Sequence, residues 1–365
     1  MLLAIETSCD ETAISLVELN VHGTVDVISE VVSSQAKLHS IYGGVVPNLA
    51  ARKHAHNLPI VLEEALALAE KKLGVPRADL WERIVGIAIT NAPGLAPALL
   101  VGISFAETLA WKYAKPLLPV HHLEGHILAD LIGSSEKIAF PLLSLVVSGG
   151  HTELVLSERL GHYTILGRTE DDAAGEAFDK VARMLGIPYP GGPGVAQAAQ
   201  NYRQKTSVDA AKKESCRKLF PRPMLSRDNY QFSFSGLKTA VLYYVEKNPP
   251  HSDLAKSAIC YAFEEAMIDT LVEKTRRAIE QYQPHTVVIA GGVSANVHLR
   301  TTLAEVVKKY PFATFRMPAF QYSLDNATMI GAAALVRYQV LGGVPHDTTL
   351  ALRAHPSLPL SEISF

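Results

Sequence analysis

Two stretches of this chain share one plan: an apolar strand, a short polar loop, and a second apolar strand. In the first, Leu2 to Ile5 is apolar, Glu6-Thr7-Ser8-Cys9-Asp10-Glu11-Thr12 is polar, and Ala13 to Val17 is apolar again. In the second, Leu142-Leu143-Ser144-Leu145-Val146-Val147 runs into Ser148-Gly149-Gly150-His151-Thr152 and then Glu153-Leu154-Val155-Leu156. Setting Thr152 on Thr12 also sets Ser148 on Ser8. A chain of 365 residues is too long for one hydrophobic core to keep growing. Echo and length together predict two related lobes, each presenting a strand-turn-strand hairpin to a shared cleft.

The intervening chain alternates between helical and strand patterns. After Pro47-Asn48, with Asn48 as the expected N-cap, Leu49, Leu58, Val61, Leu62, Ala65 and Leu66 fall on one helical side. Ile84 to Thr90 reads as a buried strand ending in Ala92-Pro93-Gly94, followed by a helix through about Tyr113. Pro116 to Val120 is a further strand, leading directly into His121-His122-Leu123-Glu124-Gly125-His126. Such alternation predicts an α/β fold with largely parallel sheets. The expected division is an N-terminal lobe over 1–118, completed by a helix at about 325–342, a C-terminal lobe over 119–324, and a tail over 343–365. The stretch around 200–232 is more polar and irregular.

Lys plus Arg is 34 and Asp plus Glu is 36, a formal net charge of −2. That balance exerts no global pull on nucleic acid or anionic lipid, so a polyanion needs a local patch or a partner. Arg52-Lys53 and the cluster from Lys212 to Arg222 are the candidates, with ordinary solvated charge the alternative. Three cysteines, Cys9, Cys216 and Cys260, lie far apart without CxxC spacing, which fits a reducing compartment. No apolar run approaches the roughly 20 residues that span a bilayer. The opening Met1-Leu2-Leu3-Ala4-Ile5-Glu6 is too short and too soon acidic for a signal peptide. The expectation is a soluble intracellular protein without a membrane.

His122 and His126 are spaced i and i+4, which puts both imidazoles on one helical face within reach of a single ion. They follow a strand directly, at the carboxyl end where α/β clefts form. Histidine is frequent here, 14 in all, so an accidental pair also fits the spacing. Asp325, ahead of a small-residue helix, is the candidate oxygen ligand. His121 lies about 100° round the helix and reads as a neighbour. Glu124 is turned away from the metal face, and in a zincin the glutamate directly follows the first histidine, so a peptidase is disfavoured. His54 and His56 read as surface or structural residues.

Glycine-rich turns after strands let backbone N–H groups approach phosphate oxygens. Three occur: Ser148-Gly149-Gly150, Gly191-Gly192-Pro193-Gly194, and Gly291-Gly292-Val293-Ser294-Ala295-Asn296. None is a Walker A loop or a GxGxxG dinucleotide motif. Each alone also reads as a structural turn; jointly they favour a nucleotide cleft. Lys238, in Ser235-Gly236-Leu237-Lys238-Thr239, reads equally as a phosphate contact or a solvated lysine.

Seven stretches taken together resemble one family. They are Ile5 to Thr12, His121 to His126, Ser148 to Thr152, Asp172-Ala173-Ala174-Gly175-Glu176-Ala177-Phe178-Asp179-Lys180, Tyr189 to Pro193, Phe234 to Thr239, and Gly291 to Asn296. The chain resembles the tRNA N6-adenosine threonylcarbamoyltransferases, once described as glycoproteases, and most nearly their bacterial branch. The resemblance implies an actin-like ATPase (sugar kinase–Hsp70) fold of two duplicated lobes. It implies transfer of a threonylcarbamoyl group from threonylcarbamoyl-AMP to N6 of adenosine 37 in tRNAs reading ANN codons, forming t6A and releasing AMP. By motif match, His122, His126 and Asp325 would bind one divalent metal, iron(II) first and zinc as the alternative. Val146, Val147, Ser148, Gly149, Gly150, Asp179, Gly192 and Asn296 would hold the adenylate. Asp10 and Glu11, in the first hairpin loop, are the expected catalytic groups for proton removal.

Implied partners are tRNA, an inactive paralogue and a small ATPase, in the cytoplasm rather than the mitochondrial matrix. The chain departs from the family pattern at Ala92, where a glycine is usual, at Val195-Ala196-Gln197, and in a tail without the tryptophan-containing ending. Three rivals remain: a sugar or acetate kinase, which has no use for the histidine pair, a metallopeptidase, and a non-catalytic ATP-dependent binding module.

Overall fold

The computed structural model describes residues 1–21, 23–205, 208–340 and 351–363. The chain divides into two compact units, Met1–Ile138 with Arg159–Tyr163 and Pro318–Phe365, and Ala139–Glu158 with Thr164–Met317.

The first unit holds β1 (Leu2–Glu6), β2 (Glu11–Leu19), β3 (Val25–Ser34), α1 (Ala36–Ser40), α2 (Pro47–Leu73) and α3 (Arg77–Arg83). It continues through β4 (Gly86–Ala92), α4 (Ala96–Tyr113), β5 (Leu117–His121) and α5 (His122–Leu128). The second unit is built from β6 (Leu142–Val147), β7 (Thr152–Arg159), β8 (His162–Arg168), α6 (Ala174–Met184), α7 (Gly191–Gln204) and α8 (Ala210–Arg217). After these come α9 (Ser235–Lys247), α10 (Asp253–Tyr282), β9 (Thr286–Ala290), α11 (Val297–Val307) and β10 (Thr314–Arg316). The chain then returns to the first unit with α12 (Ala327–Val340).

Each unit carries a five-stranded sheet, ordered β3-β2-β1-β4-β5 and β10-β9-β6-β7-β8. Reversing the second gives the order of the first, so the hairpin echo reflects duplicated architecture. β1 pairs antiparallel with β2 and parallel with β4, as β6 does with β7 and β9. Both sheets are therefore mixed, not largely parallel. The short polar loops permit only antiparallel neighbours, whereas the helical crossovers permit parallel ones.

The expected lobe boundary at residue 118 falls instead at Ile138. β5 pairs with β4, and α5 lies against α12, so residues 119–138 belong with the first unit. The helix expected at about 325–342 is seen as α12 over Ala327–Val340; residues 341 and 342 lie outside the described residues. Helix α2 begins with Pro47 at its first turn and Val46 as its N-cap, so Asn48 caps nothing. Its apolar side, Leu58, Val61, Leu62, Ala65 and Leu66, packs into the first unit's core with Leu3, Ile5, Ile14 and Ile89.

Of the expected tail, residues 343–350 and 364–365 lie outside the described residues. Residues 351–363 are docked: Leu360 is buried, Leu352 and Ala354 pack on the core, and Pro356 accepts a backbone bond from Gly94. Among the described residues, no helix is long and apolar enough to cross a membrane.

Gly331 lets α12 lie directly on the sheet. A Cβ there would fall 2.4 Å from Val17 Cγ2 and 3.2 Å from Ala4 Cβ. Both neighbours are strand residues that cannot swing away, so Gly331→Ala should lower unfolding free energy by about 1–3 kcal/mol. A urea titration with an unchanged midpoint would contradict this packing.

In the second unit, Glu265 of α10 receives Arg203 at 2.9 Å, Arg217 at 3.0 Å and His298 at 2.9 Å. Burial alone would raise its carboxyl; the hydrogen bonds from His298 and Arg203 outweigh that and hold it at about 2. A depressed carboxylate contributes stability above its unfolded value, lost as pH falls toward the folded one. Unfolding free energy should therefore drop by roughly 2–3 kcal/mol between pH 5 and pH 2 through this group. Glu265→Gln should flatten that part of the pH profile in denaturant titrations; an unaltered slope would count against it.

Candidate metal centre and nucleotide turns

β5 passes into α5 without a spacer, His121 serving as the N-cap, so His122 stands at the first helical position. All seven residues of α5 are buried. The rings of His122 and His126 meet edge to face with centroids 4.6 Å apart. The third group arrives from the far end of the sequence. Asn326 Oδ1 accepts the Met329 N–H at 2.8 Å, and Thr328 donates its hydroxyl to Glu30 at 2.7 Å. These bonds start α12 and leave Asp325 two residues before its first residue, Ala327. Asp325 Oδ1 lies 3.1 Å from His126 Nε2 and 3.6 Å from His122 Nε2. Ligand atoms of His122, His126 and Asp325 all fall within 4.8 Å of one another.

What orients His122 is Glu6, at the end of β1. This fully buried carboxylate accepts from His122 Nδ1 at 3.0 Å, from the Thr90 hydroxyl at 2.7 Å, and from the Ser8 backbone N–H. Fixing Nδ1–H in this way presents Nε2 as the ligand nitrogen. Burial would raise the Glu6 carboxyl, but the His122 ring and its hydrogen bond hold it below the usual value. Burial depresses His122 too, yet Asp325 and Glu6 overcome this and push it up to about 9. His126 is lowered by burial, only partly offset by its bond to Asp325. His126 Nδ1 is buried without a hydrogen-bond partner. Two Nε2 atoms and one carboxylate oxygen facing one point, with one ring carrying a displaceable proton, fit a divalent cation.

Asp10 lies in the β1–β2 loop of the same unit and Glu11, expected in that loop, is the first residue of β2. Glu11 accepts from the Ser34 hydroxyl at 3.0 Å. Burial, then the nearby Asp325 and Asp10, pushes its carboxyl up to about 9. The loop is fastened by His54, which is fully buried and so not a surface residue. Its Nε2 donates to the Cys9 carbonyl at 3.0 Å, while Nδ1 meets Thr12 Oγ1 at 2.8 Å. His121 donates to the Leu358 carbonyl at 3.0 Å, so the docked tail segment reaches this region.

The glycine turns belong to the second unit. Gly175 and Gly291 are there for close approach: a Cβ would fall 2.7 Å from the Ser148 carbonyl oxygen and 2.6 Å from that of Val147. Gly291 also has φ +84, a left-handed conformation that favours glycine. Gly149, Gly150 and Gly192 have open space where a Cβ would stand. Val146 and Val147 are fully buried in β6, so their side chains line no site and only their backbone faces are available. Gly191-Gly192-Pro193-Gly194 is the first turn of α7 rather than a free loop. Asp179 Oδ1 accepts the Gly191 and Gly192 N–H groups at 2.7 and 3.3 Å. Asn296 caps α11 through Leu299 N and donates to Glu264 at 2.7 Å. Lys238 is paired with Asp172 at 2.6 Å, so it is not simply solvated.

A family model described as TsaD: tRNA N6-adenosine threonylcarbamoyltransferase matches residues 26–332. A protein of that name from Endomicrobium trichonymphae is 44% identical over 98% of this chain and 98% of its own length. One from Halalkalibacterium halodurans is 42% identical over 99% of this chain and 96% of its own length. The chain belongs to the tRNA N6-adenosine threonylcarbamoyltransferase family. It is thus a transferase whose family substrate is tRNA. Full-length HypF in its phosphate- and nucleotide-bound form superposes with a TM-score of 0.52 at 13% identity, over 94% of this chain and 46% of that one. HypF from T. kodakarensis gives 0.51 over 93% and 47%. These likenesses show the fold alone, the actin-like ATPase fold.

In this threonylcarbamoyltransferase the expected basic cluster is partly neutralised from within. Arg217 and Arg222 both pair with Asp269, at 2.5 and 2.7 Å, and Lys218 pairs with Glu214 at 2.8 Å. Charges committed to partners in the same unit release fewer counterions on meeting a phosphate backbone. Glu6 and Asn326 are the residues that motif reasoning missed. Glu6 sits inside a quoted stretch, but nothing in the sequence says that its carboxylate meets a ring 116 positions away.

Proposed function

We propose that the chain transfers the threonylcarbamoyl group of threonylcarbamoyl-AMP to N6 of adenosine 37 in tRNAs reading ANN codons, forming t6A and AMP. The convergence of His122, His126 and Asp325 from two distant segments carries this reading. These three residues would hold one divalent metal, iron(II) first and zinc as the alternative. The cation supplies a Lewis acid and a template for substrate oxygens. Val146, Val147, Ser148, Gly149, Gly150, Asp179, Gly192 and Asn296 would hold the adenylate, the two valines through their backbone.

An exocyclic adenine amine is a poor nucleophile because its lone pair is delocalised into the ring. The donor is already a mixed anhydride, so the protein's task is to position the reactants and stabilise developing charge. The N6–carbamoyl bond forms as the bond to the AMP oxygen breaks, and one N6 proton must leave. Asp10 or Glu11 would take it. An inactive paralogue and a small ATPase would be the protein partners, in the cytoplasm and without a membrane.

One experiment separates this from the rivals. The chain is incubated with threonine, bicarbonate, ATP, an adenylate-making enzyme, the two candidate partners and unmodified tRNA, and the nucleosides are analysed. Accumulation of t6A is the expected result; adenylate formation with no t6A would overturn the proposal.

A further inference from the structure

We infer that Glu124 and Arg337 form a positioning pair that locks α5 against α12 and so sets how the three ligand side chains meet. The inference rests on the metal reading of His122, His126 and Asp325. Glu124 lies between the two histidines on α5, yet its carboxylate points away from them and is fully buried. It accepts the Tyr163 hydroxyl at 3.0 Å and lies 2.7 Å from the Arg337 guanidinium. Arg337 belongs to α12 and also donates to the Pro119 carbonyl of β5 at 3.4 Å. The pair therefore joins the helix bearing two of the ligands to the helix whose start fixes the third.

The rest of the α5–α12 contact is apolar and close. At Gly125 a Cβ would stand 3.0 Å from Ile330 Cδ1 and 3.3 Å from Met329 Cγ. Such a contact sets the separation of the helices but not their register, because apolar attraction has no direction. The 2.7 Å Glu124–Arg337 contact ties one point of each helix to the other, and its two ends are held by the Tyr163 hydroxyl and the Pro119 carbonyl. It is also a poor choice for stability alone, since a buried ion pair is often matched or bettered by apolar groups of similar shape. Setting the relative placement of α5 and α12 accounts for its presence where added stability does not.

The test uses the full chain and cobalt(II) as probe, read by calorimetry and by the visible absorption of the bound ion. Glu124→Gln with Arg337→Met should melt within a few degrees of wild type, because no charge is stranded and the amide oxygen can still accept from the Tyr163 hydroxyl. It should bind cobalt about 10-fold more weakly with an altered absorption band, in the range found when outer-shell partners of ligands are lost. Arg337→Lys keeps the charge and should restore part of that affinity; it also serves alone should the double variant not fold. Wild-type affinity and spectrum in either variant would reduce the pair to a structural role and overturn the inference. Failure of the wild-type chain itself to bind cobalt would instead remove the metal reading, and the inference with it.

Discussion

Replacing His122 and His126 together with alanine is expected to abolish threonylcarbamoyl transfer while leaving the chain folded. Both rings point Nε2 at the Asp325 carboxylate, and their loss leaves one carboxylate, too few donors for a divalent ion. If that ion contributes several kcal/mol to the transition state, the rate should fall by roughly 10³-fold or more. The chain should still fold, with reduced stability, because Glu6 keeps the Thr90 hydroxyl and the Ser8 N–H but loses its buried imidazole partner. Nucleoside analysis, metal content and circular dichroism on one preparation check all three parts. Full transfer by the double variant would eliminate the metal role.

A second large effect is expected at Glu6. Glu6→Gln preserves shape and can still accept from Thr90, but it removes the negative charge that holds His122 Nδ1–H. Loss of such a partner typically costs 10–100-fold in metal affinity or activity, and a fall within that range is the prediction. Glu6→Ala should do more, leaving buried donors on His122, Thr90 and Ser8 without their acceptor and destabilising the chain by about 3 kcal/mol or more. The two variants separate ligand orientation from stability: Glu6→Gln, which loses one acceptor oxygen, should melt closer to wild type than Glu6→Ala while still binding metal poorly. Equal metal affinity in Glu6→Gln and wild type would refute the orienting role.

Much of this molecule is legible from local pattern, and the parts that are not share a cause. The hairpin repeat is visible because strand, loop and strand are contiguous and their period of two is written in neighbouring residues. The i, i+4 histidines are visible for the same reason at helical period. The mixed character of the sheets is harder to see, since strand direction depends on which strand lies alongside, and β1 lies between β2 and the much later β4. The basic cluster reads as a patch until Asp269, on a separate helix, is found to hold two of its arginines. The C-terminal residues 351–363 carry no period at all, yet they are held by Asn91, Gly94 and His121, whose bonds run to backbone atoms that any sequence would supply.

The residue order alone determined the class of fold, its duplication and the identities of the three ligand candidates, because each depends on spacing along the backbone or on a run of motifs. Tertiary structure decided that Asp325 is the oxygen that meets both rings, that Glu6 orients one of them, and that Glu124 faces Arg337. Those facts are distances between side chains more than a hundred positions apart. Such distances arise from packing α12 onto the first sheet, which no local period encodes.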